Sequence, residues 1–401
     1  MNKKYKEGKS MKKKKILFYT SGIGLGGVEK VLLELLKFID KEKYDIKVAF
    51  QNGDERYFES EIPKDIQYKF MLDEKIIGKT IYFKERKKKN LIYKICYLFM
   101  MKYEKMIIKK EFLKFSEDRD IVIDFKSGDF YKVIQLNKKA KRLCWLHNEI
   151  TKVSSYSKRK ERLEKFFNTC EKVICICNEM KDNLIKEMPS IQNKIEVFYN
   201  CFDIQKIEEL SKDTFDLNFD DKKKLNDKYF IMVGRLDDVQ KDFSTLIDTY
   251  EIYYKRNVEK SIKLYLLGEG PDRDKIEKTL KNKGLEKKIL LLGAKKNPYP
   301  WIKNSKFLIH SSKFEGLPTV LIEALILGKN IISTDCPTGP KEILENGKIG
   351  TLVEIGNIQK MANAIEEKVK VEENIKSLFE SSKRFDGQKI IKNVEKMLEI
   401  V

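Results

Sequence analysis

The sequence has few histidines and lacks the cysteine patterns of metal and redox sites. His147 and His310 are the only two histidines among 401 residues. The 7 cysteines are scattered, and the closest pair, Cys175 and Cys177, has one residue between them. Zinc sites and redox motifs use wider spacings, and an odd number of cysteines does not suit a disulfide framework. We therefore expect free thiols in a reducing compartment.

Long apolar runs are also missing. The richest run, 95–101, has 7 residues between two lysines, whereas a membrane-spanning helix needs roughly 18 or more. The basic start, 1–15, resembles a signal peptide, but the apolar stretch after it, 16–19, has only 4 residues where about 7 to 15 are typical. We therefore expect a cytoplasmic protein. If it contacts lipid, we expect it to be peripheral on the inner face of the membrane.

Positive charge is abundant and unevenly distributed. Lys and Arg number 82 against 62 Asp and Glu, a net charge of +20. Residues 1–200 contain 46 basic and 29 acidic residues, a net charge of +17, and residues 201–401 contribute only +3. This asymmetry indicates an anionic partner for the first half. General lysine richness is the alternative, but it does not explain why the halves differ.

Segment 81–115 concentrates this charge among aromatic residues. It has 11 basic and 3 acidic residues, interleaved with Tyr82, Phe83, Tyr93, Tyr97, Phe99, Tyr103, Phe112 and Phe115. Basic and aromatic residues at helical spacing favour adsorption to an anionic bilayer. We therefore expect membrane contact through 81–115, and the alternative is a helix pair whose lysine stems cover a core.

Apolar runs rich in β-branched residues alternate with helical stretches along the chain. Twelve runs are predicted strands: 15–20, 46–50, 121–125, 142–146, 173–177, 195–199, 229–233, 262–267, 289–292, 307–310, 330–333 and 350–353. This rhythm is typical of βαβ units and parallel sheets. It predicts an α/β protein with two Rossmann-like, doubly wound domains that face each other across a cleft.

A polar stretch separates the two halves. We expect an N-terminal domain at 1–202, a linker at 203–228 and a C-terminal domain from 229 to 384. Ligands of parallel α/β sheets bind beyond the carboxyl ends of the strands. The cleft between two facing sheets is therefore the expected site.

A glycine-rich turn follows the first predicted strand. Gly22, Gly24 and Gly27 match the G-x-G-x-x-G spacing of dinucleotide-binding turns. The acidic residue that such sites place after the second strand is displaced to Asp54 at best. We therefore expect this turn to approach another ligand or a neighbouring domain.

Two cations and two carboxylates follow strands in the second half. Arg235 follows strand 229–233 and Lys241 comes six residues later. A forked and a point-like cation at the mouth of a strand can hold a diphosphate. Glu315 precedes a predicted helix that begins near Pro318, and Glu323 lies in its second turn. Carboxylates and helix-start amides can bind sugar hydroxyls, although Glu323 has the alternative of being an ordinary helix residue.

Two D-x-D motifs raise the question of a metal. Asp118 and Asp120 lead into a strand, and Asp272 and Asp274 open a predicted helix, where Asp is favoured without a metal. No metal is expected at either.

The histidines lie at strand ends. His147 follows strand 142–146, where ligands collect. It is a candidate site residue, with a loop histidine beside Trp145 as the alternative. His310 ends strand 307–310, and we expect it to be structural.

Five motifs occur in one order along nearly the whole chain. They are Gly26-Gly27-Val28-Glu29; Gly234-Arg235-Leu236 with Lys241; Gly268-Glu269-Gly270-Pro271; Glu315-Gly316-Leu317-Pro318 with Glu323; and Cys336-Pro337-Thr338-Gly339-Pro340-Lys341-Glu342. Together they resemble the retaining GT-B glycosyltransferases of family 4, also called group 1.

The resemblance implies roles for the second-half motif. Glu315 would hold the donor sugar together with the backbone at Gly316 and Leu317. Glu323 would hold the ribose of the nucleotide.

It also implies how the leaving group is neutralised. Arg235 and Lys241 would neutralise the diphosphate, and Gly26 and Gly27 would approach the donor phosphates from the first domain. His147 would lie near the transferred sugar. The last stretch, 385–401, would return as a helix to the first domain.

The expected function follows from these roles. It is retaining transfer of a hexose or N-acetylhexosamine from a nucleotide diphosphate sugar, with UDP as the expected nucleotide. The expected acceptor is a glycan or a lipid-linked acceptor of bacterial surface polysaccharide or glycolipid synthesis. No metal and no cofactor beyond the nucleotide sugar are expected.

Two alternatives remain open. A sugar-nucleotide epimerase or hydrolase of similar fold would need no acceptor. A basic nucleic-acid-binding protein would use the charge of the first half, but nothing resembles an RNA- or DNA-reading motif, so no nucleic acid partner is expected.

Overall fold

The computed structural model describes residues 12–24, 26–54, 56–152, 156–257, 262–371 and 374–401. The strands in these ranges are β1 Lys14–Thr20, β2 Tyr44–Asn52, β3 Gln67–Leu72, β4 Ile121–Asp124, β5 Lys141–Leu146, β6 Lys172–Cys175, β7 Ile195–Val197, β8 Tyr229–Val233, β9 Lys263–Leu267, β10 Ile289–Gly293, β11 Leu308–His310, β12 Ile331–Thr334 and β13 Thr351–Val353.

The α-helices are α1 Gly27–Phe38, α2 Glu74–Arg86, α3 Leu91–Ser116, α4 Tyr131–Ile134, α5 Tyr156–Asn168, α6 Asn178–Glu187, α7 Ile204–Leu210, α8 Phe219–Lys224, α9 Asp238–Lys241, α10 Phe243–Arg256, α11 Arg273–Lys283, α12 Tyr299–Asn304, α13 Thr319–Ile326, α14 Pro340–Ile343, α15 Ile358–Val369, α16 Ile375–Ser382 and α17 Gly387–Ile400. Short 3₁₀ turns lie at Glu59–Glu61, Ile150–Lys152, Pro189–Lys194, Glu345–Gly347 and Lys383–Phe385.

The strands form two separate sheets. The first has the order β3-β2-β1-β4-β5-β6-β7 and the second β10-β9-β8-β11-β12-β13. Neighbouring strands are parallel in both. The buried apolar strands therefore have helices on both faces, as parallel sheets require. The predicted α/β class with two doubly wound sheets is confirmed.

The predicted strands coincide with observed ones to within a few residues, but one strand was missed. The edge strand β3 pairs with β2 on one side only. Its first residues, Gln67 and Tyr68, are exposed, and only Met71 and Leu72 are buried. A strand that buries so little lacks the apolar run by which the others are predicted.

Residues 203–228, predicted as a linker, fold into α7 and α8. The Asn297 side chain donates a hydrogen bond to the Leu210 carbonyl at 2.8 Å, and Lys295 pairs with Asp221 at 2.6 Å. This stretch therefore packs on the second lobe.

The final helix α17 packs on α1 of the first lobe. The Asp40 amide donates to the Glu395 carboxylate at 2.8 Å, and the Lys14 ammonium donates to the Leu398 carbonyl at 2.7 Å. Residues 385–401 thus extend from the second lobe back to the first.

Segment 81–115 lies in an antiparallel helix pair, α2 and α3. Asp73 and Asn90 cap the two helices by accepting hydrogen bonds from Lys75 and Tyr93 amides, as Asx residues commonly do at helix starts. Within the described residues, no helix has the length and apolar character needed to cross a bilayer.

The start of α17 allows a test of how tightly it packs. A Cβ at Gly387 would lie 2.2 Å from the Phe38 ring. We predict that Gly387→Ala lowers the free energy of unfolding by about 1 to 3 kcal/mol, because it overpacks this contact. Urea unfolding of both proteins measures the difference.

Gly78 provides the matched control. It lies inside α2, and a Cβ there meets nothing within 4 Å. Gly78→Ala is therefore expected to raise stability by up to about 1 kcal/mol. Equal effects of the two substitutions would contradict the proposed packing.

Candidate active site

A large cleft separates the two lobes. Its volume is about 930 Å³, and loops at the carboxyl ends of strands from both sheets line it. The structure brings every predicted site residue to this cleft: Gly26, Gly27, His147, Arg235, Lys241, Glu315, Gly316, Leu317 and Glu323.

Glu315 is buried at the centre of a hydrogen-bond network. Its Oε1 accepts from Lys241 Nζ at 2.5 Å and from Ser312 Oγ at 2.6 Å, and it lies 3.2 Å from His310 Nε2. Its Oε2 accepts from Gln240 Nε2 at 3.3 Å. The carboxylate is therefore held in one orientation.

The charge of Glu315 is stabilised inside the protein. Burial alone would raise the pKa of this carboxyl, but the Lys241 charge and the hydrogen bond with His310 hold the pKa well below its usual range. Burial, together with the charge of Lys241, lowers the pKa of His310 despite the opposing effect of Glu315. Glu315 is therefore ionised at neutral pH, and His310 is neutral.

The loop that carries Arg235 is shaped by two glycines of a neighbouring loop. A Cβ at Gly268 would lie 1.9 Å from the Gly234 carbonyl oxygen, and one at Gly270 would lie 2.4 Å from the Leu236 carbonyl oxygen. Only glycine permits such close approach, and Gly268 also has a φ of +149°.

Arg235 and Lys241 each pair with a carboxylate. The Arg235 guanidinium is 2.6 Å from Asp237, and its side chain is 63% exposed. Lys241 is largely buried against Glu315. One predicted cation therefore projects into the cleft, while the other is fixed at its wall.

Glu323 is buried in the second turn of α13, as predicted. The Lys30 ammonium, from α1 of the other lobe, lies 4.0 Å from Glu323 and 5.3 Å from the centre of the Tyr299 ring. This carboxylate thus faces a cation across the cleft.

The first lobe reaches the second at the start of α1. A Cβ at Gly27 would lie 3.5 Å from Thr319 Oγ1 at the start of α13. Glu29, in the first turn of α1, pairs with Lys126 at 3.3 Å. Two helix starts therefore meet at the cleft, where amide donors favour anions.

A second contact between the lobes lies beside Glu315. Asn148 and Gly316 form an isolated antiparallel bridge, and the Glu149 amide donates to the Glu315 carbonyl at 3.3 Å. A Cβ at Gly316 would lie 2.2 Å from the His147 carbonyl oxygen. Gly316 therefore allows the backbones of the two lobes to touch.

His147 lines the cleft with a buried, neutral ring. The centre of its ring lies 4.3 Å from the centre of the Phe125 ring. The ring is also parallel to the Trp145 ring, and their centres are 6.3 Å apart. Its Nε2 is buried and has no hydrogen-bond partner among the described residues. Burial, with a contribution from Lys126, lowers the pKa of His147 to about 3. The residue therefore lines the cleft, and its Nε2 is a buried polar atom without a partner among the described residues.

Both D-x-D motifs serve local structure. Asp118 pairs with Arg119 at 2.5 Å and with Lys15 at 3.1 Å. Asp272 accepts a hydrogen bond from the Asp238 amide at 2.7 Å. In the part of the chain that the structure describes, no group of three or more His, Cys, Asp or Glu is arranged for a metal ion.

The sequence did not reveal several contacts around the predicted site residues. His310, expected to be structural, contacts Glu315 directly, and its position at a strand end five residues before Glu315 was the available signal. Lys30, Tyr299 and Gln240 have no comparable signal, because their contacts join segments far apart in the chain.

Two family profiles match the chain in succession. One, described as Glycosyltransferase Family 4, matches residues 25–206, and the other, described as Glycosyl transferases group 1, matches residues 213–385. The first profile covers the lobe with Gly26 and His147, and the second covers the lobe with Arg235, Lys241 and Glu315.

Two curated proteins are similar in sequence to about half of this chain. An uncharacterized glycosyltransferase of Methanocaldococcus jannaschii is 33% identical over 53% of this chain and 52% of its own length. The N-acetylgalactosamine-N,N'-diacetylbacillosaminyl-diphospho-undecaprenol 4-alpha-N-acetylgalactosaminyltransferase of Campylobacter jejuni is 29% identical over 54% of this chain and 57% of its own. The chain thus spans about half the length of these relatives.

Solved structures extend the likeness to both lobes. Anabaena HepE, in complex with UDP and glucose, superposes with a TM-score of 0.73 and 18% identity, over 97% of this chain and 100% of its own. At this identity the likeness concerns the fold. With the two profiles, it shows that the chain belongs to the group 1 glycosyltransferases of the GT-B fold.

Proposed function

We propose that this protein is a retaining glycosyltransferase that works without a metal. It transfers a hexose or N-acetylhexosamine from a UDP-sugar to a glycan or lipid-linked acceptor in surface polysaccharide or glycolipid synthesis. The observation that carries the proposal is the buried Lys241–Glu315 pair, 2.5 Å apart at the wall of the cleft between the lobes.

This pair supports a site for a sugar diphosphate. Glu315 holds one side of the Lys241 ammonium, and an ammonium has three donors, so two remain for phosphate oxygens. The exposed Arg235 guanidinium can grip a phosphate with two parallel hydrogen bonds. Glu315 lines the cleft, and its Oε2, which accepts from Gln240, has a second lone pair for a sugar hydroxyl.

These cations address the difficult part of the reaction. As the bond between the anomeric carbon and the phosphate oxygen breaks, negative charge grows on the leaving UDP. Cations already positioned at the cleft stabilise that charge with little rearrangement. In this proposal Arg235 and Lys241 supply the charge that a metal supplies elsewhere.

The choice of donor and acceptor is supported by the relatives. HepE was solved with UDP and glucose, and the Campylobacter jejuni relative is named for N-acetylgalactosaminyl transfer to a diphospho-undecaprenol acceptor. A sugar nucleotide and a diphosphate-linked acceptor are both compatible with a cleft that contains two cations, two carboxylates and the starts of two helices.

His147 acts as a neutral hydrogen-bonding group in this proposal. His147 lines the first-lobe wall of the cleft, beside the bridge to Gly316, and its ring is neutral. A neutral ring at this position can hydrogen-bond to a sugar hydroxyl bound next to Glu315.

A donor panel tests the reaction class. Purified protein, UDP-sugars and a lipid-linked acceptor extract should yield UDP and a glycosylated product with the anomeric configuration of the donor. The yield should be unchanged by EDTA. Free sugar or an epimer formed equally without an acceptor would support the hydrolase or epimerase alternative, and loss of turnover in EDTA would contradict metal-free catalysis.

Charge removal tests the site assignment. We predict that Arg235→Ala lowers kcat/KM for the UDP-sugar by about 30- to 1000-fold, because one charged contact to the leaving group contributes roughly 2 to 4 kcal/mol. Glu315→Gln keeps the shape of the side chain and should lose activity to a similar extent. Steady-state rates with the active donor measure both.

Arg256→Ala is the matched control. Arg256 is a partly exposed arginine at the end of α10 in the same lobe. It pairs with Glu366 at 3.8 Å. Its removal should change kcat/KM less than about twofold. If Arg235→Ala behaved like this control, the assignment of the diphosphate site would be wrong.

The protonation state of His147 gives a prediction for stability. Its pKa is about 3 in the folded protein and about 6.5 when unfolded. Below pH 6.5 the unfolded chain binds a proton at His147 that the folded protein does not bind. The free energy of unfolding therefore decreases as the pH is lowered. We predict that His147→Gln removes about 1 to 2 kcal/mol of the loss that wild type shows between pH 7 and pH 5.

Urea unfolding at several pH values measures this effect. Because other groups titrate equally in both proteins, the difference between wild type and variant isolates His147. Parallel curves for the two proteins would show that the ring is not buried in its neutral form.

A further inference from the structure

The helix α3 is apolar on two opposite sides. One side is buried, with Met100, Ile108 and Phe112 turned toward the protein. The other side exposes a row of large apolar residues, which we call the α3 stripe: Leu91, Ile92, Ile95, Leu98, Phe99, Tyr103 and Met106. A helix that is apolar all round normally has partners all round.

The stripe is continuous and strongly exposed. Its members recur at intervals of three and four residues, which places them on one side of a helix. Leu91 is 69% exposed, Ile92 70% and Phe99 66%. Among the described residues, no element covers this side.

The stripe lies on a projection of the first lobe. The last turns of α3 contact the sheet: Lys69 of β3 pairs with Glu111 at 2.5 Å, and Phe112 packs on Tyr19. The first turns of α3 pack on α2, where Tyr93 meets Tyr82. Residues 91–104 are roughly 20 Å of helix that precede the turns in contact with the sheet.

The projection leaves from the edge of the sheet that faces the cleft. The helix α2 follows the carboxyl end of β3, and Gly26 and His147 follow the carboxyl ends of β1 and β5 in the same parallel sheet. A surface that receives the stripe therefore lies on the side of the first lobe where the cleft opens.

The charge around the stripe identifies the occupant. Residues 74–116 contain 13 Lys and Arg against 4 Asp and Glu. Lys87, Lys88 and Lys89 form the tip between α2 and α3. Lys94 and Lys105 are exposed on one flank of the stripe, and Lys102 and Lys109 are exposed on the same helix face. An apolar row between cations matches the acyl region and phosphates of an anionic bilayer.

We propose that the α2–α3 hairpin docks on an anionic phospholipid bilayer, with the α3 stripe in the interfacial region and the tip lysines on lipid phosphates. A second copy of this chain fits poorly, because two such surfaces would bring like charges together. The proposal does not depend on the sugar chemistry, although it places the cleft beside a membrane that holds lipid-linked acceptors.

Vesicle flotation tests the docking with the full-length protein. We expect binding to vesicles of phosphatidylcholine and phosphatidylglycerol in equal parts, and at least about tenfold weaker binding to phosphatidylcholine alone. Lys87→Gln/Lys88→Gln/Lys89→Gln and Leu91→Gln/Ile92→Gln/Phe99→Gln should each weaken binding to the anionic vesicles by about tenfold or more. All these side chains are partly or fully exposed, so folding should be preserved.

Matched variants on the second half control for bulk charge and exposed apolar area. Lys278→Gln/Lys281→Gln/Lys287→Gln removes three exposed lysines, and Phe215→Gln/Phe219→Gln removes two exposed aromatic residues. These variants should bind vesicles within about twofold of wild type. Equal losses in control and hairpin variants would overturn the proposal.

A tryptophan reporter separates insertion from surface attraction. The native tryptophans, Trp145 and Trp301, are both buried and give a constant background. Fluorescence of Leu98→Trp should shift to shorter wavelength with anionic vesicles, and that of Phe215→Trp should not. An unshifted Leu98→Trp would refute insertion of the stripe. A dimer in sedimentation velocity that the stripe variant abolishes would assign the stripe to a second copy instead.

Discussion

The buried carboxylate of Glu315 is the constraint on which the cleft depends. An ionised carboxylate away from water needs several donors, and here Lys241, His310, Ser312 and Gln240 provide them. Lys241 and Gln240 come from α9, which follows β8, and His310 and Ser312 come from the end of β11 and the loop after it, so satisfying one charge fixes both segments. The same requirement orients Lys241, which would otherwise be a flexible side chain.

Glycines set how closely the surrounding backbones approach. Gly268 and Gly270 let one loop of the second lobe lie against the Arg235 loop, and Gly316 lets the second lobe touch the first at His147. Each of these contacts is closer than any side chain allows. The shape of the cleft therefore depends on these glycines as much as on the charged side chains that line it.

The two lobes differ in what their sequences reveal. In the second lobe, motif residues lie next to strand ends, so the parallel sheet alone brings Arg235, Lys241 and Glu315 to one edge. In the first lobe, the basic and aromatic segment 81–115 suited both a membrane surface and a packed helix pair. The structure shows the helix pair, in which α3 buries one side against the protein and leaves the other side exposed.

The sequence by itself determined the α/β class, twelve of the strands and the motif residues that meet in the cleft, because apolar periodicity and strand-end positions are local properties. It did not reveal β3, which buries too little, nor the folding of 203–228 onto the second lobe. Only the tertiary structure decided that His310 supports Glu315, that Lys30 faces Glu323 and that Gly316 meets His147. Those contacts join segments distant in the chain, and no local pattern records which distant residues will meet.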